Sequence, residues 1–313
     1  MLQILSNKHH SLTELEQIEQ GCWINLIAPT PEEIEAVVRA TGIDPEFLRD
    51  ALDEEERSRI EKEDDTVSVI VDIPLLEQDE NGQNAYDTFP LAMIACEHYF
   101  ITVCLRENPI IEMFVKKKVR NFYTFKKTRF IFQLLQLISQ YYLRYLRQIN
   151  RKTDTIEREL RQTLKNQDLF ELLSLDKSLV YFTTSLKSND AVLEKLLRMN
   201  FLKMYEEDRE LLEDVIIENK QAIEMSQIYS SILKGLTNAF SSVISNNLNL
   251  EMRFLTSFTI ILALPTMVAS FYGMNIPIPY QHNPHAFGIM LSVAFMLSGA
   301  AAFFFWRKRY FKK

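Results

Sequence analysis

The stretch that decides the fold is Phe254–Phe271, FLTSFTIILALPTMVASF. It holds no charged residue and approaches the roughly 20 residues a helix needs to cross the ~30 Å hydrocarbon core of a bilayer. Arg253 stands at one edge and Tyr272-Gly273-Met274-Asn275 at the other. A second uncharged stretch, Ala286–Trp306, follows a short loop and leads into Arg307-Lys308-Arg309-Tyr310-Phe311-Lys312-Lys313. Two apolar spans with a basic end predict a transmembrane hairpin whose basic end faces the cytoplasm. Tyr272, Tyr280, Trp306 and Tyr310 fall where an interfacial aromatic belt would lie. The alternative is a buried hairpin of a soluble protein. Uncharged runs of this length followed by a basic tail argue against it.

Upstream the chain turns helical and polar. A helix begins near Glu206, and from there to Tyr272 the only helix-disfavouring residues are Gly235 and Pro265. Some 65 residues at about 1.5 Å each would make a rod on the order of 100 Å, far longer than a bilayer is thick. Such a helix has to pack laterally, against copies of itself or against its neighbours. Two long helices precede it, over Phe130–Leu164 and Asp168–Met199, the first with apolar positions recurring at helical spacing.

Residues 1–107 read as mixed α/β. Cys22–Ile27, Thr66–Ile73, Thr88–Ile94 and Tyr99–Val103 read as strands, with a turn at Glu80-Asn81-Gly82. Pro31–Thr41 is a helix capped by Thr30, and Pro45 opens another that runs into the acids Asp53–Glu56. The expected organisation is a cytoplasmic α/β domain (1–127), long cytoplasmic helices including a stalk (128–250), a pore-lining span (251–272), an external loop (273–285), a second span (286–306) and a basic cytoplasmic tail (307–313).

Composition narrows the function. Seven glycines in 313 residues favour long helices. A net charge of −7 argues against nucleic acid and leaves cations as partners. Cys22, Cys96 and Cys104 are scattered without metal-ligand spacing and read as reduced core residues. The first residues, MLQILSNKHHSLTELEQ, lack a signal-peptide pattern, so the first domain is expected to be cytoplasmic. No phosphate loop, nucleophile elbow or HExxH is present, so an enzyme is not expected.

Alternating steps of four and three along the third helix meet Asn238, Ser242, Ser245, Asn249, Met252, Thr256, Thr259, Ala263, Thr266, Ser270 and Gly273. All are small, polar or methionine. This is the period of the seam along which parallel helices face one another. Several copies around an axis would enclose a wet pore lined by neutral oxygens, which suit a hydrated cation. Met252 and Ala263 would supply apolar rings able to gate by dewetting. Tight helix packing in a membrane also selects Ser, Thr, Ala and Gly. The continuation of the stripe below the bilayer, through Ser242, Ser245 and Asn249, favours the pore.

Tyr272-Gly273-Met274-Asn275, at the end of the penultimate span, resembles the YGMN signature of the CorA family of magnesium and cobalt transporters, and the resemblance covers the whole chain. It implies an α+β membrane protein: a homopentameric funnel whose stalk helix continues into the first of two C-terminal transmembrane helices, with both termini cytoplasmic in the cell membrane. It implies a Mg2+ channel driven by the membrane potential, often also passing Co2+ or Ni2+, with closure by cytoplasmic Mg2+. Asn275 would ring the outer mouth and hold hydrated Mg2+ through its waters, with Gly273 and Met274 shaping the turn. Thr266 matches the family's pore threonine, Met252 and Leu255 its lower hydrophobic gate, and Asn249 its polar pore residue below. Asp50, in Ile43–Asp50, and Asp214 match acids that sense Mg2+ between subunits.

The chain departs from the pattern at two places. The stalk partner of Asp50 maps near Asn238, an amide. The loop Ile276–His285 carries no acids, only His282 and His285, which read as a candidate ring for a softer metal or as polar turn residues. The basic residues from Lys116 to Lys118, with Arg120, Lys126, Lys127 and Arg129, read as a solvated face or a contact to anionic headgroups. The competing functions are a Zn2+, Co2+ or Ni2+ transporter of the same fold and a non-conducting membrane-anchored sensor or scaffold.

Overall fold

The structure, a computed structural model, describes residues 1–7, 12–78, 84–162, 166–199, 201–275, 284–308 and 310. The predicted turn at Glu80-Asn81-Gly82, His282 with most of its loop, and much of the basic tail lie outside them. The described chain divides into two compact units, Met1–Leu236 and Thr237–Lys313.

The first unit is built on a seven-stranded sheet of β1 (Leu2–Ser6), β2 (Thr13–Glu14), β3 (Trp23–Ile27), β4 (Arg59–Glu63), β5 (Thr66–Gln78), β6 (Asn84–Ala95) and β7 (Phe100–Cys104). The order is β2-β1-β3-β7-β6-β5-β4. Only β3 and β7 pair in parallel; the other neighbours are antiparallel. Both faces of the central strands are buried, which is why β3 and β7 read as nearly continuous apolar runs.

On one face Ile24 and Leu26 join Ile34, Val37, Phe47, Leu48, Ile101 and Val103 beneath α1 (Pro31–Thr41) and α2 (Glu46–Arg49). Helix α1 starts where the sequence reading put it, for a local reason. The Thr30 hydroxyl accepts the Glu33 N–H and the Glu33 carboxylate accepts the Thr30 N–H at 3.0 Å. It stops because Gly42 takes a left-handed conformation, φ 71°, at little steric cost.

The opposite face turns Trp23 into an aromatic cluster. Its ring meets Phe114, Phe122 and Phe130 edge-on at 6.5, 6.0 and 5.0 Å. Its Nε1 donates to Thr102 Oγ1 at 2.8 Å, and that hydroxyl donates to Asn25 Oδ1 at 2.9 Å, so no polar group of the relay is left unpaired. Helices α3 (Pro109–Val115), α4 (Lys127–Gln162) and α5 (Asn166–Arg198) lie on this side. Asn189 of α5 clips β5 through both amide atoms, accepting from Asp72 N at 2.9 Å and donating to Asp72 O at 2.8 Å. Burial raises the Asp72 carboxyl above its usual range, against hydrogen bonds from Ser185 and Ser58.

Helix α6 (Glu206–Tyr272) is continuous for 67 residues, as the scarcity of breakers predicts. Its first part packs antiparallel on α5. Ser230 donates to Asp176, Ser226 to the Leu179 carbonyl, Asn219 to the Leu186 carbonyl, and Lys220 pairs with Glu194.

The second unit holds the rest of α6 and α7 (Ala286–Arg307). Both helices are long and apolar enough to cross a membrane, and only 6 % of the most apolar window of each is buried. A soluble core hairpin would be covered; this one presents Phe258, Leu262, Phe295 and Phe303 outward. Pro265 sits inside α6 and has no N–H for the carbonyl of Ile261, four residues before it. In α7, Ser298 Oγ donates to that same Ile261 carbonyl at 3.4 Å. The serine therefore repairs the bond that the proline removes, where hydrocarbon offers no water to do so. We expect Ser298→Ala to destabilise the assembled protein by about 1 kcal/mol, measured by thermal unfolding in detergent. In a Pro265→Ala background, with the backbone donor restored, the same change should cost almost nothing; an equal cost in both backgrounds would refute this role.

Candidate pore face and mouth

The predicted stripe lies on one side of α6. Asn238, Ser242, Ser245, Asn249, Met252, Leu255, Thr256, Thr259, Ala263, Thr266 and Ser270 are all exposed in the single chain. The side turned to α7 is different. It is marked by Ser257, which is fully buried, and by the less exposed Ile261, Leu264, Pro265 and Val268. At 3.6 residues per turn the two sets fall on roughly opposite sides of the helix. The small residues therefore cannot be explained as the seam of the α6–α7 hairpin, which uses another face.

Ser242 Oγ donates to Asn238 O at 2.9 Å, Thr259 Oγ1 to Leu255 O at 2.8 Å and Thr266 Oγ1 to Leu262 O at 3.2 Å. Each hydroxyl proton is spent on the helix's own backbone. The oxygen is left with lone pairs free to accept, so at Ser242, Thr259 and Thr266 the stripe presents acceptors, the polarity that a hydrated cation requires.

Gly273 ends the helix, its N–H donating to Ala269 O at 3.0 Å and to Ser270 O at 3.2 Å. A Cβ placed there would stand 3.4 Å from the Ala269 carbonyl oxygen, ordinary contact, so the fold of one chain does not demand glycine. Met274 and Asn275 follow, both exposed. Among the described residues no three of His, Cys, Asp and Glu come together to hold a metal. His285 is exposed just before α7.

Asp214 is exposed on α6. One turn on, Glu218 is raised above the usual carboxylate range by burial, with a Gln140 hydrogen bond opposing and the Asp214 charge reinforcing. Asp50 lies in a 3-10 turn (Asp50–Leu52) and is held by Arg59, whose Nη2 donates to its Oδ2 at 2.6 Å. Burial pushes the Asp50 carboxyl up; Arg59 opposes, and Glu56, Glu61 and Glu46 add to the rise. The acid run is partly engaged, because Glu56 pairs with Arg59 and Glu54 with Arg106 at 2.8 Å. The basic run is likewise partly engaged. Lys127 donates to the carbonyls of Cys96 and Glu97, and Arg129 pairs with Asp208 at 3.2 Å. Sequence reasoning missed Arg59, Arg106 and Ser298. Arg106 and Ser298 act on partners distant in sequence, and Arg59 lies in a polar strand that carries no apolar alternation.

A profile of the family described as "CorA-like Mg2+ transporter protein" matches residues 19–309. A cobalt/magnesium transport protein of Methanocaldococcus jannaschii is 28 % identical over 281 residues, covering 87 % of this chain and 85 % of the relative. A magnesium transport protein of Helicobacter pylori is 24 % identical, covering 81 % and 79 %. The complete structure of the M. jannaschii magnesium transporter superposes with a TM-score of 0.84 at 25 % identity, over 98 % of each chain. The full-length CmaX protein shares the fold, with a TM-score of 0.70 at 14 % identity over 96 % of this chain and 97 % of that one.

Proposed function

Because this chain belongs to the CorA-like Mg2+ transporter protein family, we propose that it is a divalent cation channel mediating potential-driven Mg2+ uptake, built as a homopentamer in the cell membrane. It is a transport protein and not an enzyme. The observation that carries the channel reading is the acceptor stripe on the face of α6 turned away from α7. One such face is useless to a single copy; five around an axis line a wet path. Asn249, Met252, Leu255, Thr256, Thr259, Ala263, Thr266 and Ser270 line that path, with Met252 and Leu255 as its lower apolar gate. Asn238, Ser242 and Ser245 continue it below the membrane.

Gly273, Met274 and Asn275 form the mouth. Mg2+ gives up its water reluctantly, so amide oxygens that hold it through its hydration shell bind without demanding dehydration. Both termini are cytoplasmic in this reading, which the basic residues Arg307 and Lys308 at the end of α7 support for the C-terminal side. Closure by cytoplasmic Mg2+ is part of this reading, with exposed Asp214 as its carboxylate. Co2+ is a second cargo, supported by the likeness to a protein named for both ions.

The test is a thiol scan along α6. The native cysteines are all buried, so an introduced thiol is the one that reacts. We expect a charged, water-soluble thiol reagent to block Mg2+ flux through Thr259→Cys, Ala263→Cys and Thr266→Cys and to spare Phe258→Cys, on the lipid side. Equal sensitivity at Phe258, or unimpeded flux through labelled Ala263→Cys, would refute the assignment.

A further inference from the structure

We propose that Arg59 is a built-in counter-cation for the acidic cluster at Asp50, holding the place a divalent ion would take, so that cytoplasmic Mg2+ is not read there. The cluster is made of Asp50 in the 3-10 turn, Glu56 in the loop that follows and Glu61 on β4. One guanidinium serves all three. Nη2 donates to Asp50 at 2.6 Å, Nε to Glu61 at 2.8 Å and Nη1 to Glu56. The planar fork of an arginine fits such an arrangement, and it stays charged at any pH the cell meets.

The pairing is not a flexible surface contact. The side chains of Arg59, Asp50 and Glu56 are 27 %, 20 % and 24 % exposed. The next acids are tied in the same way. Arg106 takes Glu54 at 2.8 Å and Glu77 at 2.6 Å while its guanidinium stacks 4.2 Å over the Phe89 ring. Asp53 is spent on the turn itself, its Oδ1 accepting the Glu55 N–H at 3.0 Å. The donor set around Asp50 therefore does not fit a metal. Mg2+ needs oxygen lone pairs in near-octahedral array, and one oxygen of each of these three carboxylates is already directed at an Arg59 N–H, with the guanidinium standing among them. An arriving ion would have to evict a guanidinium and leave it unpaired in a partly buried place.

Without Arg59 the balance reverses. Asp50, Glu56 and Glu61 would be left with no cation among them, and Glu56, Glu61 and Glu46 each already raise the Asp50 carboxyl. Such a cluster would recruit a divalent ion. Mg2+ sensing in this chain, if it follows the channel reading above, runs through other carboxylates.

The experiment reads binding and needs no transport, so its failure is separate from failure of the channel reading. The full-length protein in detergent is titrated with MgCl2 and its thermal unfolding midpoint followed, since a ligand that binds only the folded state raises it. D50N should leave the wild-type Mg2+ response unchanged. R59Q should shift the half-maximal Mg2+ concentration down by about tenfold or create a response where none existed, and R59Q/D50N should abolish that gain. A wild-type response that D50N weakens would overturn the proposal, as would a correctly assembled R59Q protein with wild-type behaviour. Should R59Q fail to assemble, wild type against D50N still decides.

Discussion

Asn275→Ala is expected to collapse Mg2+ flux while leaving the protein folded and assembled. Asn275 is exposed just past the end of α6, so among the described residues no packing depends on its side chain. Its amide oxygen is an acceptor for the water of a hydrated cation, and alanine offers nothing in its place. Each such bond is worth about 1 kcal/mol net. With only two copies engaged at once, the loss already exceeds the 1.4 kcal/mol or so that makes a factor of ten. Flux into liposomes, normalised to assembled protein, should therefore fall by at least about tenfold. Asn275→Gln, which keeps the amide but moves it outward, should fall between the two. Full flux through Asn275→Ala would mean that the mouth is built from other atoms.

Trp23→Ala is expected to be the most damaging single change in the first unit, costing about 3 to 5 kcal/mol. Trp23 is fully buried, three phenylalanine rings pack edge-on against it, and its N–H feeds the Thr102–Asn25 relay. The change opens a cavity between β3 and α4 and leaves the Thr102 hydroxyl without its donor. Against a typical stability of roughly 5 to 15 kcal/mol, that is a large share. Trp23→Phe fills most of the volume and should cost clearly less. The chain's other tryptophan, Trp306, is 69 % exposed, so the buried signal lost in Trp23→Phe can be assigned without ambiguity. A thermal midpoint for Trp23→Ala close to wild type would show that the cluster does not hold the sheet to its helices.

Local chemistry explains which elements were legible. Helix α1 has its N-cap, its capping box and its glycine stop within a dozen residues, and α6 declares itself by the scarcity of glycine and proline over its length. The stripe was readable because its period is a property of one helix. Strand β4, Arg59–Glu63, was missed because RIEKE offers a single apolar residue, Ile60, and holds its place by pairing with β5 at the sheet's edge. Strand β1 was missed because no turn residue marks its start and its partner β3 lies beyond β2 in the chain. The parallel pairing of β3 with β7 brings together strands that no local signal connects. Arg59 and Ser298 fall in the same class: each acts on a group, the Asp50 carboxylate or the Ile261 carbonyl, whose proximity exists only after folding.

The most direct test of the central claim is Mg2+ entry into liposomes holding the purified wild-type protein, with and without an inside-negative potential. A channel lined by neutral acceptors moves the ion down its electrochemical gradient, and a divalent ion gains about 4.6 kcal/mol per 100 mV, twice the figure for a single charge. Entry that rises steeply when the potential is imposed, and needs no other energy source, is the predicted result. Intact oligomers that pass no Mg2+ at any potential, with internal Mg2+ present or absent, would contradict the account and leave α6 as the stalk of a membrane-anchored sensor.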